Sequence, residues 1–201
     1  MPTILWRRMS SSYFSRCPFN LPFTGPTWHI VAAADFDSGN AAIKNPAPLG
    51  GSNPTFASDL LWQNDNGALA LWQSNGNNGS SGGPFSGNFN QANLGNPGAG
   101  WHVASTNDFD GNGAADILFQ HTSGLLAIWE FQSFNQANIL QGAPVIKAQL
   151  NVDQNPGATW HVVATGDIDG PNDPNLQSGL PLAGIVFQND NGAIAAWEHL
   201  L

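Results

Sequence analysis

A loop of nine residues near the middle of the chain has the residue types and the spacing that suit a calcium ion. It reads Asp-Phe-Asp-Gly-Asn-Gly-Ala-Ala-Asp over residues 108–116. Calcium takes roughly six to eight oxygen ligands from carboxylates, amides and backbone carbonyls. Ligands at alternate positions of a tight loop can all point inward, so the sequence predicts a Ca²⁺ site here. The predicted ligands are Asp108, Asp110, Asn112, the Ala114 carbonyl and Asp116.

Two alternatives to this interpretation start from the same residues. An EF-hand loop begins similarly but requires a Glu at its twelfth position and helices on both sides. Counting from Asp108, that position is Phe119, and the flanking segments are typical of strands. A simple turn is the other alternative, because Asp, Asn and Gly are common turn residues. Three converging carboxylates repel one another without a cation, however, which favours calcium over a bare turn.

The aspartate loop belongs to a repeat that occurs three times and opens each time with Trp-His and an aliphatic residue. Seven positions separate the Trp from the first Asp of the loop in every copy. The pairs are Trp28 and Asp35, Trp101 and Asp108, and Trp160 and Asp167. Such a fixed period predicts repeated supersecondary units that stack on one another.

The loops of the other two copies keep only part of the ligand set. The first copy has Asp35, Asp37 and Asp59, but 22 positions separate Asp37 from Asp59, against 6 between the matching residues of the middle copy. A site in the first copy therefore requires the additional residues to loop out.

The third copy has Asp167 and Asp169 but places Gly184 where the closing Asp would stand. Asn172 or Asp173 would have to complete a site there.

The segments around these loops have the pattern of short strands. Asn66-Gly67 and Asn191-Gly192 lie between apolar runs and predict tight hairpin turns, because both residue types tolerate positive φ. The first two copies also share a trailing segment, at 89–94 and 134–139, which predicts a fourth strand.

Four strands per copy at this spacing are typical of a β-propeller blade. The predicted fold class is all-β, with three repeats of four antiparallel strands and a propeller that is partial or completed by self-association. The predicted boundaries are 1–24 for an irregular N-terminal segment that could supply a closing strand, 25–95, 96–154, and 155–201 for a third repeat without its last strand.

Composition excludes several classes of function. The formal net charge is −9 with only 5 Lys and Arg, so no basic surface is available to neutralise the phosphates of nucleic acid. No apolar run approaches the length of a membrane span, and no clear signal peptide precedes the repeats. The single cysteine, Cys17, excludes an intrachain disulfide. No catalytic triad, paired Glu or nucleophile elbow is present, so the chain is predicted not to be an enzyme.

Two further residue types recur with the repeat and could suggest chemistry. His29, His102 and His161 follow the opening Trp residues, and Trp72, Trp129 and Trp197 close each copy. Their regular positions in strands favour structural roles, as satisfied histidines and as packing between blades, over metal binding, catalysis or sugar stacking.

The middle copy, from Trp-His-Val through Asp-Phe-Asp-Gly-Asn-Gly to Ala-Ile-Trp, resembles the FG-GAP/VCBS repeats of bacterial secreted and surface proteins, which are similar to the blades of integrin α chains. The resemblance covers residues 25–197. It implies a calcium-binding propeller module outside the cell or at its surface, with a glycan or protein ligand. The alternatives are a structural spacer or fragment of a larger surface protein, and an accessory domain of a secreted hydrolase.

Overall fold

The computed structural model describes residues 25–36, 58–73, 90–131, 146–152, 155–168 and 183–198. Every regular element in these ranges is a β-strand. The strands are β1 Trp28–Ala34, β2 Asp59–Asn64, β3 Leu69–Gln73, β4 Asn90–Gly95, β5 Trp101–Asn107, β6 Asp116–His121, β7 Leu126–Phe131, β8 Ile146–Val152, β9 Trp160–Gly166, β10 Gly184–Asn189 and β11 Ile194–Trp197.

The strands form three antiparallel sheets in chain order. The first sheet is β1-β2-β3-β4, the second is β5-β6-β7-β8, and the third is β9-β10-β11. The prediction of an all-β chain with repeated antiparallel sheets is therefore confirmed. Within the described residues no helix is long and apolar enough to cross a bilayer.

The fourth strand of the second sheet is not where the sequence predicted it. The trailing segment of the first copy does form β4, but the strand that pairs with β7 is β8, at Ile146–Val152. Its residues alternate between half-buried and exposed, which is the period of a strand with one face toward the interior. The predicted segment 134–139 lies outside the described residues, and the resemblance between the two trailing segments was the wrong signal.

The second sheet is the central layer because both of its faces are buried. Ile117 and Phe119 on one face join Leu61 and Leu71 of the first sheet in one apolar cluster. Leu118, between them in β6, turns to the opposite face and joins Ile185 and Phe187 of the third sheet. Alternate residues of β6 thus serve two cores, which explains why its sequence is continuously apolar instead of alternating.

Side-chain amides connect each sheet to the next. The Gln63 side chain donates to the Trp101 carbonyl at 3.3 Å and accepts from the Val103 amide at 3.1 Å. Gln120 makes the same pair of bonds one repeat later, to the Trp160 carbonyl at 2.7 Å and from the Val162 amide at 3.1 Å. We call this arrangement the glutamine bridge. It satisfies backbone groups of β5 and β9 that point out of their own sheets.

The hairpin turns also pack against the following sheet. Gly124 adopts φ 90°, and a Cβ placed on it would lie 2.3 Å from the backbone carbon of Gly157. Glycine is therefore required at this turn for two reasons, its left-handed backbone and the close approach of the next repeat.

Replacing Gln120 by alanine should destabilise the fold because it leaves the Trp160 carbonyl and the Val162 amide without partners. We expect a loss of about 2–3 kcal/mol in the free energy of unfolding, measured by urea denaturation. Gln149→Ala, an exposed position of β8, is the matched control and should change stability by less than about 0.5 kcal/mol. Equal effects of the two substitutions would contradict the structural role of the glutamine bridge.

Candidate metal centre

Asp116 is fully buried, with no solvent exposure. It begins β6, and its two carboxylate oxygens accept backbone hydrogen bonds from opposite directions. Oδ2 accepts from the Phe109 amide and Oδ1 from the Phe131 amide, both at 2.8 Å. The carboxylate therefore holds the aspartate loop against the end of β7.

Asp108 and Asp110 converge on Asp116 from the other end of the loop. One oxygen of each of the three carboxylates lies within 4.8 Å of the others. Asp108 accepts from the backbone amides of Asn112 and Gly113, at 3.0 and 2.7 Å. These amides can approach because the loop turns sharply at Gly113, where φ is 89°. The structure thus brings together all three carboxylates that the spacing selected.

Asn112 and Ala114 lie in the same loop but have additional local partners. The Asn112 side chain donates to the Phe131 carbonyl at 2.7 Å and to Asp110 Oδ2 at 2.9 Å. Its side-chain oxygen accepts from the Ala114 amide at 2.7 Å, and Ala114 is fully buried. Asn112 therefore fastens the loop to β7, and its oxygen and the Ala114 carbonyl stay predicted ligands.

The electrostatics of the loop disfavour three negative charges in a metal-free state. Burial raises the pKa of Asp116 to about 7, against the opposing effect of its two backbone hydrogen bonds, and the charges of Asp110 and Asp108 raise it further. Burial also raises the pKa of Asp108, opposed by the bond from the Gly113 amide and reinforced by the charge of Asp110. A bound cation would reverse both effects, because it stabilises the charged form of each carboxylate.

Lys147 is a charged neighbour of this loop that the sequence analysis did not identify. Its ammonium group lies 2.6 Å from Asp110 Oδ2 and 3.4 Å from Glu130. The Asp110 side chain raises the pKa of Lys147 by hydrogen bonding. Lys147 belongs to β8, whose alternating pattern indicates a strand but not its position beside the loop. One of only five basic residues thus neutralises part of the acidic cluster.

The first copy preserves the closing aspartate, but its candidate ligands do not all lie among the described residues. Asp59 is fully buried and accepts from the Phe36 amide at 3.1 Å, as Asp116 does from Phe109. The Asp35 carbonyl accepts from the Ala115 amide of the next repeat at 2.9 Å. Asp37 lies outside the described residues, so a site in the first copy stays a prediction.

The third copy has no room for a closing carboxylate at its glycine. A Cβ on Gly184 would lie 2.7 Å from the Ile168 side chain and 2.8 Å from the Trp197 carbonyl. Asp167 precedes Ile168 at the end of β9. The other predicted ligands of this copy, Asp169, Asn172 and Asp173, lie outside the described residues.

The recurring histidines are exposed at one edge of the sheets, although the sequence placed them between packed faces. His29 and His161 each accept or donate one hydrogen bond of 2.8 Å, to Asp65 and Asp190 respectively. Partial burial of the His102 ring, and then the charges of His161 and His121, lower the pKa of His102.

His29 and His102 line a groove of about 480 Å³ between the first two sheets. Trp129 and Trp197 pack in the two inter-sheet clusters, as predicted, whereas Trp72 is buried and contacts Trp62 of its own sheet.

Comparison with known proteins finds no matching family model, no matching curated protein and no matching solved structure.

The burial of Asp116 predicts an unusual pH dependence for the metal-free protein. Its pKa is raised from 3.8 to about 7 on folding, so the folded state binds a proton that the unfolded state has lost. Its contribution to stability is complete below about pH 4 and is lost as the pH rises through about 7. In chelator, the stability of the wild type relative to Asp116→Asn should therefore fall by on the order of 1–3 kcal/mol from about pH 5 to 8. Parallel pH profiles in urea denaturation would contradict this.

Proposed function

We propose that this chain is a non-catalytic, calcium-binding β-repeat module whose ion is held by Asp108, Asp110 and Asp116. The observation that supports this most directly is the convergence of three carboxylates within 4.8 Å, one of them fully buried. A buried carboxylate is costly unless a cation or hydrogen bonds offset its charge. Here the hydrogen bonds leave the pKa of Asp116 near 7, so a bound cation would substantially stabilise its charged form.

The donor set suits calcium better than other metals. All the candidate ligands are oxygens, from carboxylates, the Asn112 amide and the Ala114 carbonyl. Each carboxylate oxygen that accepts one backbone hydrogen bond keeps a second lone pair for an ion. Magnesium requires a stricter octahedral arrangement at shorter distances and gives up its water reluctantly. The chain's ion is therefore proposed to be Ca²⁺, and its effect is to fix the loop against β7.

The sheets are proposed to be blades of a propeller-type array, of the kind that the FG-GAP/VCBS resemblance implies. Two features support the arrangement: the sheets stack face to face through two apolar clusters, and their first strands adjoin, β1 beside β5 and β5 beside β9. In such arrays the sheets surround a central channel, which the adjoining first strands would line here. We propose a role outside the cell or at its surface, where millimolar calcium is available, and the ligand, glycan or protein, stays a prediction.

A metal-free structural spacer is the second candidate, and one observation favours it. The Lys147 ammonium already contacts Asp110 at 2.6 Å, and backbone amides already bond the other two carboxylates. In this alternative the loop is a turn that needs no metal ion, because the Lys147 ammonium supplies the positive charge. The two candidates differ in their response to calcium.

Calcium should stabilise the protein against heat, because an ion that binds only the folded state shifts unfolding by mass action. At about one hundred times the Kd the gain is about 2.7 kcal/mol, or roughly 5–10 °C in Tm for a chain of this size. Calorimetry in chelator and in calcium measures the shift. Asp110→Asn should remove most of it, since the substitution keeps the size of the side chain and deletes one charge.

The matched control is Asp190→Asn, which deletes the same charge from a carboxylate that is 63% exposed and bonded to His161. This variant should keep the full calcium response. No shift in the wild type would support the spacer, and equal loss in both variants would show nonspecific charge screening.

Removing Lys147 should tighten calcium binding. Its ammonium group competes with the ion for Asp110 and repels it, so we expect Lys147→Met to lower the Kd for calcium several-fold in titration calorimetry. The same substitution should lower the stability of the metal-free protein, because the acidic cluster loses its neighbouring positive charge. An unchanged Kd would mean that the ion does not use Asp110.

A further inference from the structure

The outer face of the third sheet has the composition of an inter-sheet interface but is exposed. Ile194 of β11 is 63% exposed, whereas its counterparts Leu69 and Leu126 in the other two sheets are 0% and 1% exposed. Ile168, which follows the aspartate of the third loop, is 39% exposed, against 0% for Phe36 and 2% for Phe109. The two earlier sheets bury these positions against the sheet that follows.

The glutamine bridge is also open at this end. Gln188 occupies in β10 the position of Gln63 in β2 and Gln120 in β6, since all three precede the Asn or His at the strand end. The earlier glutamines are buried and bond the first strand of the next sheet. Gln188 is exposed. The third sheet therefore presents the donor and the acceptor of a bridge to a strand that the next sheet would provide.

The hairpin turn of the third sheet shows the same difference. A Cβ on Gly67 would meet the Asn96 side chain at 2.9 Å, and one on Gly124 would meet Gly157 at 2.3 Å. A Cβ on Gly192 would meet no atom within 4 Å. The outer face of the third sheet, its Gln188 side chain and its hairpin turn at Gly192 are thus all exposed on the same side.

The first sheet presents the matching surface at the other end of the chain. Ile30 is 49% exposed, whereas its counterparts Val103 and Val162 receive the glutamine bridge and pack into the two cores. Gly25 begins the turn before β1, as Gly157, which the Gly124 hairpin turn approaches, begins the turn before β9. Trp62 and Trp72 on the same side of this sheet are buried, so β1 and its preceding turn form the open part.

We propose that a second copy of this chain docks head to tail, with β1 of one copy against the outer face of the third sheet of the other. In this contact Gln188 bridges the Trp28 carbonyl and the Ile30 amide of the other copy, and Ile194 and Ile168 become buried. The occupant is a second copy because the chain repeats this same interface twice within itself, and its two open ends are the two complementary halves. An interface of unlike halves closes into a ring or extends as an array.

Two copies would bring together six of the sheets formed by the described residues, and six lies within the usual four to eight blades of a closed propeller. The expected assembly is therefore a dimer held by this contact. It is independent of calcium, since none of its residues is a candidate ligand. Its failure and the failure of the calcium proposal are consequently separate results.

Sedimentation of the full chain and of two charge variants tests the contact. Ile194→Glu places a carboxylate on the third-sheet face, and Ile30→Glu places one on β1. Each variant alone should sediment as a monomer, with self-association weakened at least about tenfold. Leu125→Glu alters a residue that is 43% exposed on a hairpin turn of the second sheet and should leave association unchanged.

Mixing the two variants distinguishes unlike from like surfaces. The third-sheet face is intact in Ile30→Glu and β1 is intact in Ile194→Glu, so the mixture should regain a one-to-one complex that neither variant forms alone. This recovery also shows that both variants are folded. A monomeric wild type overturns the proposal. A wild-type dimer that only one of the variants dissociates overturns it too, because the contact would then join two identical faces.

Discussion

The carboxylate of Asp116 is the interaction on which the arrangement of the sheets depends most. It accepts the amides of Phe109 and Phe131, and these two aromatic side chains pack into different cores. Phe109 belongs to the cluster between the second and third sheets, and Phe131 to the cluster between the first and second. One buried charge thus fixes the two anchors that place the central sheet between its neighbours.

That position is electrostatically costly, and the protein offsets it differently in each repeat. In the second repeat, backbone amides bond Asp116, Lys147 contacts the neighbouring Asp110, and on our proposal a calcium ion offsets the remaining charge. In the first repeat Asp59 keeps the bond to the Phe36 amide. In the third, Gly184 removes the carboxylate, and Ile168 and the Trp197 carbonyl approach within 3 Å of where a side chain would begin. The repeats therefore share a fold while their loops differ in charge.

The sequence predicts the parts of this structure that depend on local preferences. Asn-Gly turns, the fixed spacing from Trp to Asp and the convergence of three carboxylates are properties of short segments, and the structure has all of them. It does not predict contacts between distant segments, such as Lys147 beside Asp110, because the pattern at 134–139 indicated a fourth strand earlier in the chain than β8. The sequence does not predict the glutamine bridge for another reason. A polar residue recurs in three apolar strands, but the backbone groups that it bonds lie in the next repeat.

The central claim is that the convergent carboxylates of the second repeat hold a cation. Crystals grown with calcium, or with terbium as a stronger scatterer in its place, would test this most directly by anomalous diffraction. We expect one peak among the oxygens of Asp108, Asp110 and Asp116, with the Lys147 ammonium displaced from Asp110. Diffraction that shows no peak there, with Lys147 still bonded to Asp110, would contradict the account.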